Sequence, residues 1–247
     1  MRRVTRPPLG KGIQAYLCRR QKQADEKYRS GGLDVEREWK GARATKTMRK
    51  VLTSLQNMMG ARERCMYCLD SHGSDIEHFR PKAGYSKRMF RWRNLLLCCT
   101  ECGRLKGNRF PLQGKRPLLI DPTKEEPWRH LDFDPITGNI TARFDAQINV
   151  WSPKGTATVE ILQLDRREAL AAGYKATFQR LSDIARRFLA DSDTPYSQFI
   201  DALREADDHG LLGWIFVGTG RNEPPFSELW KQRPAVWNEC AHTLKFN

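Results

Sequence analysis

Seven cysteines occur in the chain, and five of them fall between positions 65 and 102. Cys65-x-x-Cys68 and Cys99-x-x-Cys102 form two knuckles separated by the thirty residues 69–98. Each knuckle can offer two thiolates to one ion, and four thiolates close a tetrahedral zinc site. Such a site fixes a segment with too few apolar residues to hold itself together. A disulfide framework would come in an even number and spread along the chain, so the clustering points to metal. Buried free cysteines are the competing reading, and two pairs at this spacing oppose it. Cys98 adjoins the second knuckle. The spacing selects Cys99 with Cys102 and leaves Cys98 as a core residue of the preceding strand. Cys18 and Cys240 read as buried or free thiols.

The charge balance narrows the partner. The 247 residues carry 43 Lys+Arg against 29 Asp+Glu, a formal net charge of +14. That excess calls for an acidic partner, and nucleic acid fits it best. A membrane surface is disfavoured because no amphipathic anchor is evident. The longest apolar run, Leu95 to Cys99, has five residues, which excludes a membrane-spanning helix. The opening MRRVTRPPLGKG has no apolar stretch behind it, so a cytoplasmic location is expected.

The pattern predicts an α+β chain in three parts: residues 1–60 as a basic arm and helices, 61–145 as the cysteine block with a following hairpin, and 146–247 as a helical region. Pro7, Pro8, Gly10 and Gly12 make residues 1–13 an extended arm. Residues 14–30 read as a solvated helix and Ser30–Asp34 as a break. Met48, Val51, Leu52, Leu55, Met58 and Met59 recur at helical spacing between Ala44 and Gly60, with Lys46, Arg49 and Lys50 on the wetter side. Pro117–Pro122 reads as a short strand. His130–Phe144 reads as a hairpin turning at Thr137-Gly138-Asn139 and packing beside the cysteine block. Further helices are expected over Arg166–Ala190 and Pro195–His209. Trp214, Phe216, Phe226, Trp230 and Trp237 are expected in a C-terminal core.

Between the knuckles lies Asp75-Ile76-Glu77-His78-Phe79-Arg80-Pro81-Lys82. The carboxylate of Glu77 can bind a divalent cation, and the His78 imidazole can remove a proton from water. Adjacent strand residues face opposite sides, so both serve one site only if the strand is bulged or twisted, or if His78 works through water. Asn94 can hold the His78 ring. Asn108 offers a carbonyl oxygen to a hard cation, and Lys106 a charge to phosphate. His72, in a loop with Gly73, reads as exposed in preference to metal-bound.

The order CxxC, Glu-His, Asn-Leu, CxxC, Lys-Gly-Asn, from Cys65 to Pro111, resembles the HNH endonuclease family. MRRVTRPPL, EHFRPK, NRFPL and ATVEILQLDRREAL further resemble the PtuB-type HNH proteins, which accompany an ATPase in Septu-type and retron-associated antiphage systems. The resemblance implies a zinc-stapled ββα-metal core between N- and C-terminal helical regions. It implies structural zinc on Cys65, Cys68, Cys99 and Cys102, and catalytic magnesium or manganese on Glu77 and Asn108. His78 then matches the general base, and Asn94 the residue that orients it. Many members carry His or Asn directly after the second knuckle, where this chain has Gly103. The implied function is phosphodiester hydrolysis as a toxic effector, on DNA by default and on RNA such as tRNA if the flanking helices select it. A PtuA-like ATPase is the implied partner, with a reverse transcriptase and its DNA product a further one. A non-catalytic zinc module that docks nucleic acid is the alternative that Gly103 keeps open.

Overall fold

The charged segment after the N-terminal arm is an α-helix, α1 (Lys11–Arg29), and it starts three residues earlier than the sequence indicates. The computed structural model describes residues 1–191 and 193–245, so Ser192, Phe246 and Asn247 lie outside the described residues. A second helix, α2 (Val35–Arg43), follows the Ser30–Asp34 break, and a third, α3 (Lys46–Asn57), carries the expected apolar face. Asp34 and Thr45 cap them by accepting from the backbone N–H of Arg37 and Met48. Then come β1 (Asp75–His78), β2 (Leu95–Cys98), α4 (Thr100–Lys106), β3 (Leu112–Gln113) and β4 (Arg116–Pro117).

The contact pattern splits the chain differently from the three parts expected. One unit comprises residues 4–67 and 71–117, so the N-terminal helices share a core with the cysteine block. The reason is packing: Trp39, Met48, Val51 and Leu55 are buried, and α3 lies against β2. The arm is not loose either. Arg6 donates to the carbonyls of Trp92 and Leu95 at 2.9 and 2.8 Å, and Trp92 Nε1 donates to Pro7 O at 3.0 Å. Few apolar residues anchor α1, but buried Gln21 does so with its amide. Gln21 Nε2 donates to Ser86 O and Gln21 Oε1 accepts from Phe90 N. Strands β1 and β2 pair antiparallel with Glu77 opposite Leu96 and His78 opposite Leu95. Their register has no bulge, so the irregularity expected at Glu77-His78 is absent.

The other unit comprises residues 1–3, 68–70 and 118 onward. It contains β5 (Leu131–Phe133), β6 (Ile140–Ala142), β7 (Phe144–Asp145), β8 (Val150–Trp151) and the helices α5 (Pro153–Leu162), α6 (Glu168–Ala190), α7 (Tyr196–Ala206), α8 (Leu211–Phe216), α9 (Phe226–Gln232) and α10 (Pro234–Thr243). The expected hairpin is β5–β6, but it belongs to this unit. Phe133 meets Trp214 edge-on at 5.1 Å, and Asp132 Oδ1 accepts from Trp214 Nε1 at 2.7 Å. Pro117–Pro122 is not a strand beyond Pro117. Leu119 and Ile120 are buried, and the Thr158 hydroxyl of α5 takes the Ile120 N–H that a neighbouring strand would have taken. Trp214, Phe226 and Trp237 are buried as expected, Phe216 packs on Trp237 at 4.5 Å, and Trp230 is exposed.

Gly138 turns the β5–β6 hairpin at φ +83, and a Cβ there would lie 2.3 Å from Ala171 O. Both the left-handed backbone and the close approach require glycine. Gly138→Ala should lower stability by about 2–4 kcal/mol, read from the midpoint of denaturant unfolding.

Candidate functional site

The sulfurs of Cys65, Cys68, Cys99 and Cys102 all lie within 4.8 Å of one another, and all four residues are buried. Sulfurs bonded tetrahedrally to zinc at about 2.3 Å stand about 3.8 Å apart, so the cluster fits one ion. Backbone N–H groups already point at it: Tyr67 N donates to Cys65 Sγ and Cys102 N to Cys99 Sγ, each at 3.4 Å. These bonds favour thiolates over thiols. Cys99 is also the N-cap of α4, so the second knuckle starts the helix. Cys98 stands outside the cluster, on β2. Its thiol is pushed up, first by hydrogen bonding to Cys65, and donates to Cys99 O at 3.2 Å.

At the far end of α4, Lys106 is fully buried. Its Nζ donates to Glu77 Oε1 at 2.7 Å, to His78 O at 2.7 Å and to Gly107 O at 3.4 Å. Its charge is therefore turned inward, and the surface phosphate contact expected of it is not the arrangement seen. Burial raises the Glu77 carboxyl from its ordinary value, and the Lys106 ammonium opposes that rise. His78 is buried with its Nε2 on Met89 O at 3.0 Å. A carbonyl only accepts, so Nε2 carries the proton and the lone pair is left on Nδ1. Trp39 of α2 stands edge-on to the ring, 4.3 Å between centroids. Burial pushes the His78 imidazole down to about 3, with the nearby Lys82 and Lys106 adding to the fall.

Glu77, His78 and Asn108 open onto one groove of about 740 Å³. Arg37, Lys40, Arg43, Lys82 and Arg104 also line it. Asn108 is exposed there. Gly103 faces the carboxylate: a Cβ built on it would lie 3.8 Å from Glu77 Oε2 and 3.8 Å from Cys98 Sγ, ordinary contact distances. Gly103 and Glu77 line the same groove. Asn94 differs from expectation. Its amide does not hold the His78 ring but the loop around it, accepting from Arg80 N at 2.9 Å and donating to Arg80 O and Arg88 O at 3.0 and 3.1 Å. Met89, next in that loop, supplies the carbonyl on His78. Asn94 thus acts on the ring at one remove. His72 is exposed, with Nε2 4.0 Å from Glu63 Oε2.

No protein-family model matches the sequence. Over 137 residues the chain is 29% identical to Septu protein PtuB of Bacillus thuringiensis, covering 51% of this chain and 48% of that protein. The chain resembles PtuB. It is also 29% identical over 133 residues to Septu protein PtuA of Bacillus mycoides (strain KBAB4), covering 42% of this chain and 18% of that protein. The chain thus spans about half the length of the first relative and under a fifth of the second.

The sequence reading missed the contribution of α2. That helix supplies Trp39 against the imidazole and Arg37, Lys40 and Arg43 along the groove. The signals were present in Asp34 as a cap, acidic Glu36 and Glu38 in the first turn, and Trp39 three residues before Ala42. Nine residues with one large apolar side chain nevertheless make a weak pattern.

Two outcomes test the site. Cys65→Ser should lose bound zinc by elemental analysis and unfold at a lower temperature, while His78→Ala keeps its zinc. Lys106→Met leaves Glu77 without its buried partner and should cost about 2–4 kcal/mol by denaturant unfolding, part of which Glu77→Gln in the same chain restores.

Proposed function

We propose that this chain is a metal-dependent HNH-type endonuclease that hydrolyses phosphodiester bonds, and that it serves as the effector of a Septu-type antiphage defence system. The observation that carries this reading is the meeting of Glu77, His78 and Asn108 on one cation-lined groove, beside a four-cysteine cluster, in the order strand–strand–helix. The PtuB resemblance supports the biological setting.

The donor set suits a hard cation. Glu77 Oε1 is held by Lys106, which leaves Oε2 on the side of Gly103, and Asn108 adds an amide oxygen. Magnesium or manganese bound there would neutralise charge developing on the phosphate and the leaving oxygen. His78 supplies the base through Nδ1, because Met89 O fixes the proton on Nε2. An imidazole that binds protons weakly in the empty groove gains proton affinity when an anionic phosphate enters beside it. Base strength thereby follows substrate binding. Lys106 holds the two working residues together, one by its carboxylate and the other by its main-chain carbonyl. Arg37, Lys40, Arg43, Lys82 and Arg104 draw the polyanion into the groove.

The partner proposed is a PtuA-like ATPase, since both relatives carry the Septu name. A partner that restrains the nuclease fits a basic enzyme whose free activity would harm its own cell. Gly103 favours one second reading, a zinc module that docks nucleic acid without cutting it.

Plasmid DNA and total RNA incubated with pure protein and magnesium or manganese separate the two. Cleavage should appear with wild type and fall at least about 100-fold in His78→Ala. Asn108→Ala should be impaired at low magnesium and partly rescued by raised manganese. Binding without cleavage at every metal concentration would favour the docking module.

A further inference from the structure

A second cleft, of about 840 Å³, lies on the loop between β1 and β2 and on α1. Lys87, Arg88, Arg91 and Arg93 line it, together with Tyr28 and Tyr85, and no carboxylate does. All four cations are exposed, and among the described residues none is paired with an acidic side chain. The Lys87 ammonium lies 5.6 Å from the Tyr28 ring, which is 54% exposed.

Four like charges within seven residues repel one another, and a free loop would spread to relieve that repulsion. This loop is held. Gln21 pins it at Ser86 O and Phe90 N, and Asn94 pins it at Arg88 O. The charges are therefore concentrated on a fixed backbone, an arrangement that a polyanion relieves and a single small anion relieves only in part. The groove at Glu77 differs, because its cations are interspersed with Glu36, Asp75 and Glu77.

From this geometry we infer that the loop–α1 cleft is a second nucleic-acid site, which takes an unpaired stretch of strand with phosphates on Lys87, Arg88, Arg91 and Arg93 and a base stacked on Tyr28. Tracking cations beside an exposed ring are the elements of single-strand binding, and a duplex would hide the base faces that the ring needs. The inference stands on the charge and form of the cleft and does not require cleavage at Glu77. The cleft does adjoin that site through the main chain, since the carbonyls of Arg88 and Met89 hold Asn94 and His78.

The test uses the whole chain carrying His78→Ala and fluorescent oligonucleotides, single-stranded and duplex, DNA and RNA, titrated over a range of salt. Replacing Lys87, Arg88, Arg91 and Arg93 by Gln should weaken single-strand binding about 10-fold or more and flatten the slope of log affinity against log salt by about 2–3, at about 0.7 per phosphate contact. Exchanging each of the four for the other cation should keep the slope, which separates lost charge from a disturbed fold. Tyr28→Ala should weaken single-strand binding and leave the slope unchanged. An unaltered slope in the Gln variant would overturn the inference, as would duplex binding tighter than single-strand binding and insensitive to Tyr28→Ala. Displacement of the oligonucleotide by micromolar ATP would assign the cleft to a free nucleotide and overturn it too. Cleavage by otherwise wild-type protein is scored separately. Its absence with binding intact would refute the nuclease reading alone, and its presence with the slope unmoved would refute this site alone.

Discussion

Helix α4 has seven residues, too few to persist by its own hydrogen bonds. It is fixed at both ends by side chains that reach out of it. At its start the Cys99 sulfur caps the helix and belongs to the four-sulfur cluster. At its end the Lys106 ammonium is driven into the interior onto Glu77 and the His78 carbonyl. A buried ammonium is tolerated only where its donors meet acceptors, and here all three do. That anchoring sets where β1 lies against the helix, and with it where Glu77 and His78 meet the groove.

Burial perturbs the two adjacent residues in opposite directions. The Glu77 carboxyl is raised and the His78 imidazole lowered, both chiefly by removal from water. Desolvation makes each group favour its neutral form, and a neighbouring charge decides how far. Lys106 counteracts the effect at Glu77 and reinforces it at His78. One lysine therefore acts on both groups, opposing the effect of burial on the carboxylate and adding to it on the imidazole.

Much of this was legible in the sequence where the signal was discrete. The two CxxC knuckles specified the cluster because thiolate spacing is nearly independent of context. The α3 stripe and the long α6 pattern were readable because their apolar residues repeat over several turns. The hairpin turn at Gly138 was readable because only glycine suits its backbone. What was not legible depended on tertiary context. Lys106 is one basic residue among many until its burial is known. Asn94 has the right identity for a positioning role, but its partners are main-chain atoms that no side-chain pattern reveals. The strand expected over Pro117–Pro122 stops at Pro117, and beyond it the Thr158 hydroxyl of a later helix takes the Ile120 N–H. The domain boundary expected at residue 60 failed because α2 and α3 need the cysteine block to cover their apolar faces.

The edge-on contact of Trp39 with His78 bears on modularity. The residues that name the motif lie within a window of fewer than fifty positions, yet the ring that dries the imidazole comes from a helix well upstream of it. Transplanted alone into another scaffold, residues 65–111 would carry the letters of the motif into a wetter setting, with an ordinary histidine in place of a sequestered one. The unit that sequesters the histidine is therefore larger than the signature, and any recombination point between α2 and the first knuckle would separate the two.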